Sequence, residues 1–171
     1  MAHHISQSIR TKLPASKIWG ALKDYSGLEK FAPTVKSSPI VGDKNSGVGA
    51  KRRVTLQHDG SSLVEEIIEF QEGQGYKMDV SELSPPLKSM QAEFRVNEID
   101  ATSSEIYMAV DFEVKGGPFG WLMGNFMLKP IMKGVLRKNA SGLAYHSATG
   151  QIVDSKLPST EELSSAMSRS S

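Results

Sequence analysis

The feature that most constrains this chain is a single change in its hydrophobic period. Between Thr34 and Val114, runs of β-type residues recur at short intervals and are separated by Gly, Pro, Asp and Ser. After Gly117 and Pro118, apolar residues recur at helical spacing as far as His146. Alternation of apolar and polar residues predicts strands, whereas recurrence every three to four residues predicts a helix. The pattern therefore predicts an α+β chain in which a sheet precedes one long helix.

The predicted strands follow one another through short connections, which favour an antiparallel meander. A curled sheet must have its concave face covered, and the long helix is the only element large enough to do so. Pro130 is expected to kink that helix, because proline removes one of its hydrogen bonds. The seven predicted strands are Ile5–Lys12, Thr34–Val41, Val48–Gln57, Ser62–Gln71, Gly75–Glu82, Leu87–Glu98 and Ser104–Val114.

Two short helices are predicted after the first strand. Pro14 suits the first turn of a helix, where its missing N–H would be unpaired in any case, and this helix is expected to end near Asp24. Ser26 and Glu29 have the spacing of a capping box, which predicts a second helix that Pro33 terminates.

Length and composition limit the class of protein. A chain of 171 residues suits one domain, which is expected to cover residues 1–147, while the serine-rich residues 148–171 are expected to form a flexible tail. Twenty basic and nineteen acidic residues argue against a nucleic-acid partner. The absence of cysteine excludes disulfides and thiolate chemistry. No signal-peptide pattern opens the sequence, so a cytoplasmic location is expected.

Neither a metal nor a cofactor is predicted. None of the four histidines pairs with another at the helical spacing of a metalloprotease site, so all four are interpreted as surface residues. Gly47 and Gly49 begin a dinucleotide-binding pattern, but Arg52 stands where the third glycine is required, and a strand follows instead of a helix. These glycines are interpreted as a turn.

Several short motifs, taken in order, resemble the START-like (SRPBCC) superfamily, and more closely its polyketide cyclase/dehydrase and lipid-transport family. The resemblance covers roughly residues 5–146. It is carried by Leu13-Pro14-Ala15-Ser16-Lys17-Ile18-Trp19, Leu28-Glu29-Lys30-Phe31-Ala32-Pro33, Gly47-Val48-Gly49-Ala50-Lys51-Arg52, Asp59-Gly60 with Glu65, and Gly142-Leu143.

The resemblance implies a helix-grip fold, with a curved antiparallel sheet of about seven strands wrapped around the C-terminal helix. It also implies a cavity for a hydrophobic small molecule such as a lipid or polyketide. The leading hypothesis is therefore a carrier or binding protein. The alternative is a cyclase- or dehydratase-type enzyme that uses acid–base residues in the same cavity. The oligomeric state and the ligand stay open, as does a transient contact with a membrane.

Alternation in the strands predicts which side chains line the cavity. A two-residue turn at Asp59-Gly60 would place Arg52 and Glu65 diagonally on one apolar face, with Arg53 on the other. No catalytic residue is assigned, although Glu65 is the best candidate for proton transfer. The predicted lining residues are Ile9, Arg52, Glu65, Met78, Met90, Phe94, Met108, Phe112, Met123 and Met127.

Overall fold

Eight antiparallel strands form one curled sheet in the computed structural model, which describes residues 2–169. Seven strands follow in the order β1-β8-β7-β6-β5-β4-β2, and β3 pairs with β4 beside β2. The predicted meander is confirmed, except that the predicted strand over Thr34–Val41 is two separate strands. Their bounds are β1 His3–Thr11, β2 Val35–Ser37, β3 Ile40–Val41, β4 Lys51–Leu56, β5 Ser62–Gln71, β6 Gly75–Ser81, β7 Leu87–Asp100 and β8 Ser103–Val114.

Short helices follow β1, and a long helical segment follows β8. The first pair is α1 (Ala15–Leu22) and a 3₁₀ helix (Tyr25–Lys30). The long segment comprises α2 (Gly117–Met123), a π turn (Gly124–Leu128) and α3 (Lys129–Thr149). The long helix therefore has the predicted place in the chain and ends three residues beyond the predicted end.

The π turn lies directly before Pro130. Proline has no N–H to donate, so a regular helical hydrogen-bond ladder cannot pass through it unchanged. The N–H of Lys129 donates to the carbonyl of Gly124, five residues back. The π turn therefore gives the Lys129 N–H a hydrogen-bond partner immediately before the proline.

The predicted capping box at Ser26 and Glu29 is wrong. The Ser26 hydroxyl donates to Asp24 at 2.8 Å instead of accepting a hydrogen bond from a backbone N–H of the 3₁₀ helix. The Glu29 carboxylate accepts hydrogen bonds from the backbone and the hydroxyl of Ser38, and that hydroxyl also donates to the Ser26 carbonyl. Glu29 therefore ties the 3₁₀ helix to the segment between β2 and β3, a long-range role that local spacing does not reveal.

α3 packs closely against the segment that follows the 3₁₀ helix. A Cβ atom on Gly142 would lie 1.9 Å from the carbonyl oxygen of Phe31, so only glycine allows this approach. The hydroxyl of Thr34 donates to the side chain of Asn139 at 3.0 Å on the same side of the helix. The buried apolar residues of α3 are Leu136, Ala140, Leu143 and Ala144.

The C-terminal segment makes one buried contact and contains a helix. The side chain of Val153 is 3% exposed, and its backbone N–H donates to the carbonyl of Lys30 at 2.8 Å. A further helix, α4, covers Thr160–Arg169 and packs beside α3. Flexibility of the tail stays a prediction, and Val153 marks the point at which this segment is attached to the domain.

We expect Val153→Ser to lower the melting temperature by about 3–6 °C, because it removes about 1.5 kcal/mol of apolar burial. Ile152→Ser is the matched control, since Ile152 is 70% exposed and should leave the melting temperature unchanged. Deletion of residues 156–171 should also have little effect. Melting temperatures are measured by circular dichroism. Equal melting temperatures of the two serine variants would contradict the role of Val153 as the point of attachment.

Candidate functional site

The β4–β5 hairpin sets the centre of the candidate site. Arg52 lies directly opposite Glu65, and Val54 lies opposite Leu63. The predicted two-residue turn is wrong, because Asp59 accepts hydrogen bonds from the backbone and hydroxyl of Ser61 and closes a wider loop. The register differs from the predicted one by two residues. Since strand side chains alternate with a period of two, every residue keeps its predicted face.

Eight of the predicted lining residues share the concave face of the sheet. Direct cross-strand partners lie on the same face, and the observed pairs place Arg52 opposite Glu65, Met90 opposite Phe112, and Phe94 opposite Met108. Met78 and Ile9 belong to the same face through their partners in β7 and β8. Met78, Phe94, Met108 and Phe112 are buried in the hydrophobic core, and Ile9 and Met90 pack against it.

The two predicted helix residues behave differently. Met123 is half-buried at the end of α2, whereas Met127 is 60% exposed. The inward row of the long segment runs through Gly120, Gly124 and Leu128 at intervals of four. Met127 falls outside that row, so its expected place in the cavity wall is incorrect.

Arg52 is fully buried and holds one oxygen of Glu65 with two nitrogens. Its Nε and Nη2 atoms both lie 2.6 Å from Oε2 of Glu65. Nη1 donates to the carbonyl of Tyr25 at 2.8 Å, and Nη2 also lies 3.4 Å from the sulfur of Met78. A buried charge needs such partners, because desolvation would otherwise be costly. The guanidinium therefore joins β4, β5, β6 and the 3₁₀ helix.

The second carboxylate oxygen of Glu65 remains accessible. Within residues 2–169, Oε1 makes no hydrogen bond, and the Glu65 side chain keeps 12% of its surface exposed. A carboxylate oxygen is a strong acceptor for a hydroxyl or N–H group. Glu65 thus presents one fixed, open acceptor on a largely apolar face.

Aromatic rings enclose the guanidinium. The Cζ atom of Arg52 lies 4.1 Å from the centre of the Tyr25 ring and 6.0 Å from that of Phe94. The Tyr25 hydroxyl donates to the backbone carbonyl of Glu65 at 3.0 Å, and the Tyr76 hydroxyl donates to that of Leu22 at 3.2 Å. These contacts attach the rings to the backbone around the ion pair.

The electrostatics keep Arg52 charged and both tyrosines protonated. Burial raises the pKa of Tyr25 and of Tyr76 above the ordinary value. Burial alone would lower the pKa of Arg52, but the adjacent Glu65 carboxylate more than offsets this, and the pKa lies above its usual range. Over the physiological pH range, the cluster therefore contains one cation, the Arg52 guanidinium, and two neutral tyrosine hydroxyls.

Five half-buried apolar residues of the concave face lie together at one end of the sheet, which we call the open end. At this end of the sheet, β4 and β8 end and β5 and β7 begin. Glu65 lies two residues further along β5 than Leu63, which belongs to the open end. A cleft of about 520 Å³ lies at the adjoining corner, where β8 turns into α2 beside Trp121. The strand residues of the open end are Leu56, Leu63, Leu87, Met90 and Val114.

His3 is a buried residue that the sequence analysis misplaced on the surface. Its ring stacks between Phe112, at 5.0 Å, and Trp121, at 6.2 Å. A Cβ atom on Gly124 would lie 2.3 Å from Nε2 of His3, so glycine lets the helix cross the ring. Within the described residues this Nε2 makes no hydrogen bond. Period-two alternation with Ile5 is the signal that could have placed His3 inward.

Known proteins share this architecture. An aromatase/cyclase, ZhuI from Streptomyces sp. R1128, is 15% identical with a TM-score of 0.64, covering 99% of this chain and 94% of that one. The di-domain aromatase/cyclase BexL gives 11% and 0.70, covering 85% of this chain and 47% of that one. Norcoclaurine synthase from Thalictrum flavum, solved with dopamine and hydroxybenzaldehyde, gives 18% and 0.63, covering 84% of each chain. No curated protein matches the sequence.

The curled sheet closed by a long C-terminal helix defines a helix-grip protein of the START-like (SRPBCC) class. The sequence matches the family described as polyketide cyclase/dehydrase and lipid transport over residues 2–147. The chain belongs to that family. Within residues 2–169, no helix is long and apolar enough to cross a membrane.

Removal of one partner of the buried ion pair should destabilise the fold strongly. We expect Arg52→Met to lower the free energy of unfolding by about 3–5 kcal/mol, because Glu65 loses its buried partner. The double variant Arg52→Met/Glu65→Leu should recover most of the loss. Arg53→Met is the control, since its ion pair with Glu82 is exposed and should contribute at most about 1 kcal/mol. Urea unfolding measures the free energy of unfolding of all three variants. If the double variant were no more stable than Arg52→Met, the loss would not come from the unpaired charge of Glu65.

The burial of His3 should make stability depend on pH. Burial, together with the charge of Lys129, lowers the pKa of His3 below 6.5, against an opposing contribution from Asn125. The unfolded chain then binds a proton more readily than the folded one, so stability is lost as pH falls below about 6.5.

We therefore expect His3→Phe to flatten the change in melting temperature between pH 7 and 5. The control is His4→Gln, because His4 is an exposed residue paired with Asp111. Identical slopes for His3→Phe and the unmodified protein would show that His3 does not titrate on unfolding.

Proposed function

We propose that this protein binds an apolar or amphipathic small molecule between the concave face of the sheet and the long helix, as a carrier or binding protein. The ligand enters at the open end, where the apolar side chains of the concave face are half-buried. The deeper methionines and phenylalanines already pack tightly, so the ligand occupies space that the outer residues vacate. Met90 lies in this region and Met132 of α3 is partly buried against the same core, and unbranched methionine side chains adapt to ligands of different shape.

One observation carries the proposal, namely the free Oε1 atom of Glu65 on an apolar face. Arg52 fixes the orientation of the carboxylate through Oε2. The Glu65 side chain therefore loses little further conformational entropy when Oε1 accepts a hydrogen bond from a ligand. A matching ligand has an apolar body and a donor such as a hydroxyl or phenol. A purely apolar ligand would leave Oε1 desolvated and unpaired, which would cost affinity.

Binding is favoured over catalysis by the state of the neighbouring hydroxyls. A cyclase or dehydratase needs a base and also an acid that protonates or stabilises a developing negative charge. The hydroxyls of Tyr25 and Tyr76 both donate to backbone carbonyls, so neither is free for that role. The enzymatic alternative draws its support from the aromatase/cyclase and norcoclaurine synthase structures that share the fold.

The test compares 1-dodecanol with its methyl ether as competitors for a bound, uncharged fluorescent fatty-alcohol probe. The alcohol donates a hydrogen bond and the ether cannot. We expect the unmodified protein to prefer the alcohol by about tenfold, which corresponds to one hydrogen bond to a charged acceptor. Glu65→Gln should reduce this preference to less than threefold.

Arg53→Ala is the matched control, because Arg53 lies on the opposite face of β4 and should keep the full preference. Melting curves of both variants establish that the fold is retained. Equal loss in the two variants, or no probe binding at all, would contradict the proposal. Native mass spectrometry of the freshly purified protein then identifies the class of any ligand that it retains.

A further inference from the structure

The solvent-facing side of α2, the π turn and the first residues of α3 is apolar where an ordinary surface helix is polar. Phe119 is 76% exposed and Phe126 is 74% exposed. Exposed apolar residues lie three or four positions apart from Phe119 through Leu122 to Phe126, and again from Met127 to Ile131. They lie outside the inward row of Gly120, Gly124 and Leu128. We call this set the apolar stripe: Phe119, Leu122, Phe126, Met127 and Ile131.

Charge along the chain segment that carries the apolar stripe has a single sign, and Glu113, the carboxylate just before it, is paired with Lys88. From Val114 to Val153 the chain has five basic residues and no Asp or Glu. The rest of the chain holds fifteen basic and all nineteen acidic residues, so the cationic excess is concentrated on this segment. The five are Lys115, Lys129, Lys133, Arg137 and Lys138, of which all but the half-buried Lys129 are exposed.

We propose that the apolar stripe docks on the surface of an anionic phospholipid bilayer. Large apolar side chains flanked by lysines, without carboxylates, match the boundary between acyl chains and negatively charged headgroups. An acidic protein partner would need a hydrophobic groove of matching shape, whereas a bilayer requires only the apolar area and the cationic rim. Trp121, 38% exposed beside the stripe, lies where an aromatic ring would meet the headgroup region.

The docking surface adjoins the open end of the sheet, because α2 starts where β8 ends. This proposal does not depend on ligand binding at Glu65, and its test uses no interior ligand. Sedimentation with large vesicles measures binding to pure phosphatidylcholine and to phosphatidylcholine containing 30% phosphatidylglycerol. We expect binding to the anionic vesicles, at least tenfold weaker binding to the neutral ones, and a large loss in 0.5 M salt.

Phe119→Ser/Phe126→Ser should weaken binding to anionic vesicles at least tenfold, since it removes the two most exposed rings. Ile99→Ser/Ile152→Ser is the matched control, because it removes two exposed apolar residues outside the apolar stripe. Lys115→Gln/Lys133→Gln should weaken binding to anionic vesicles about fivefold per lysine and leave binding to neutral vesicles unchanged. Lys36→Gln, at an exposed lysine elsewhere, controls for net charge.

Fluorescence gives an independent readout. The protein has two tryptophans, and Trp19 is buried with its indole bound to Glu72. In a Trp19→Phe background, emission from Trp121 should shift to the blue when anionic vesicles are added. Absence of both vesicle binding and a shift would overturn the proposal, as would equal losses in the stripe and control variants. A dimer that Phe119→Ser/Phe126→Ser dissociates, without vesicle binding, would instead assign the surface to a second copy.

Discussion

The buried guanidinium of Arg52 determines how the 3₁₀ helix, β4, β5 and β6 are arranged. Each of its partners comes from a different element: a carboxylate from β5, a carbonyl from the 3₁₀ helix and a thioether from β6. An unpaired charge in the interior is costly, so none of these elements can move away without exposing the arginine or leaving it unsatisfied. The rings of Tyr25 and Phe94 complete the enclosure. The same arrangement leaves Oε1 of Glu65 as the open acceptor.

Different residues of the long helical segment contact the sheet and face the solvent. Gly120 and Gly124 allow close approach to the backbone of Lys115 and to the His3 ring. The outward side carries Phe119 and Phe126. If both proposals hold, a ligand leaving the open end would meet the bilayer at the same segment, so its apolar body would cross little water.

Much of the fold follows from patterns that are local in the sequence. Alternation in the strands identified the concave face, and it survived the error at Asp59-Gly60 because the register differed by two residues. The features that were missed depend on distant partners. Glu29 binds Ser38 and not its own helix, Val153 packs against a segment more than a hundred residues away, and His3 is buried by Trp121. The contacts of Glu29 and Val153 leave no periodic signal, whereas alternation with Ile5 could have placed His3 on the inner face.

The hairpin also shows what selects its register. Basic residues occupy three successive positions in β4, and Glu65 is followed by Glu66, so both faces carry an ion pair. Sliding β4 by a single residue in one direction would place Arg53 opposite Glu65, which is another pair of opposite charges. Charge matching therefore cannot distinguish the correct alignment from its nearest competitor. Discrimination comes from the buried Val54, because a slip of β4 by one residue would turn Val54 outward and put Thr55 in its place. The ionic residues therefore give the site its chemistry, whereas the neighbouring aliphatic residues determine the register of the two strands.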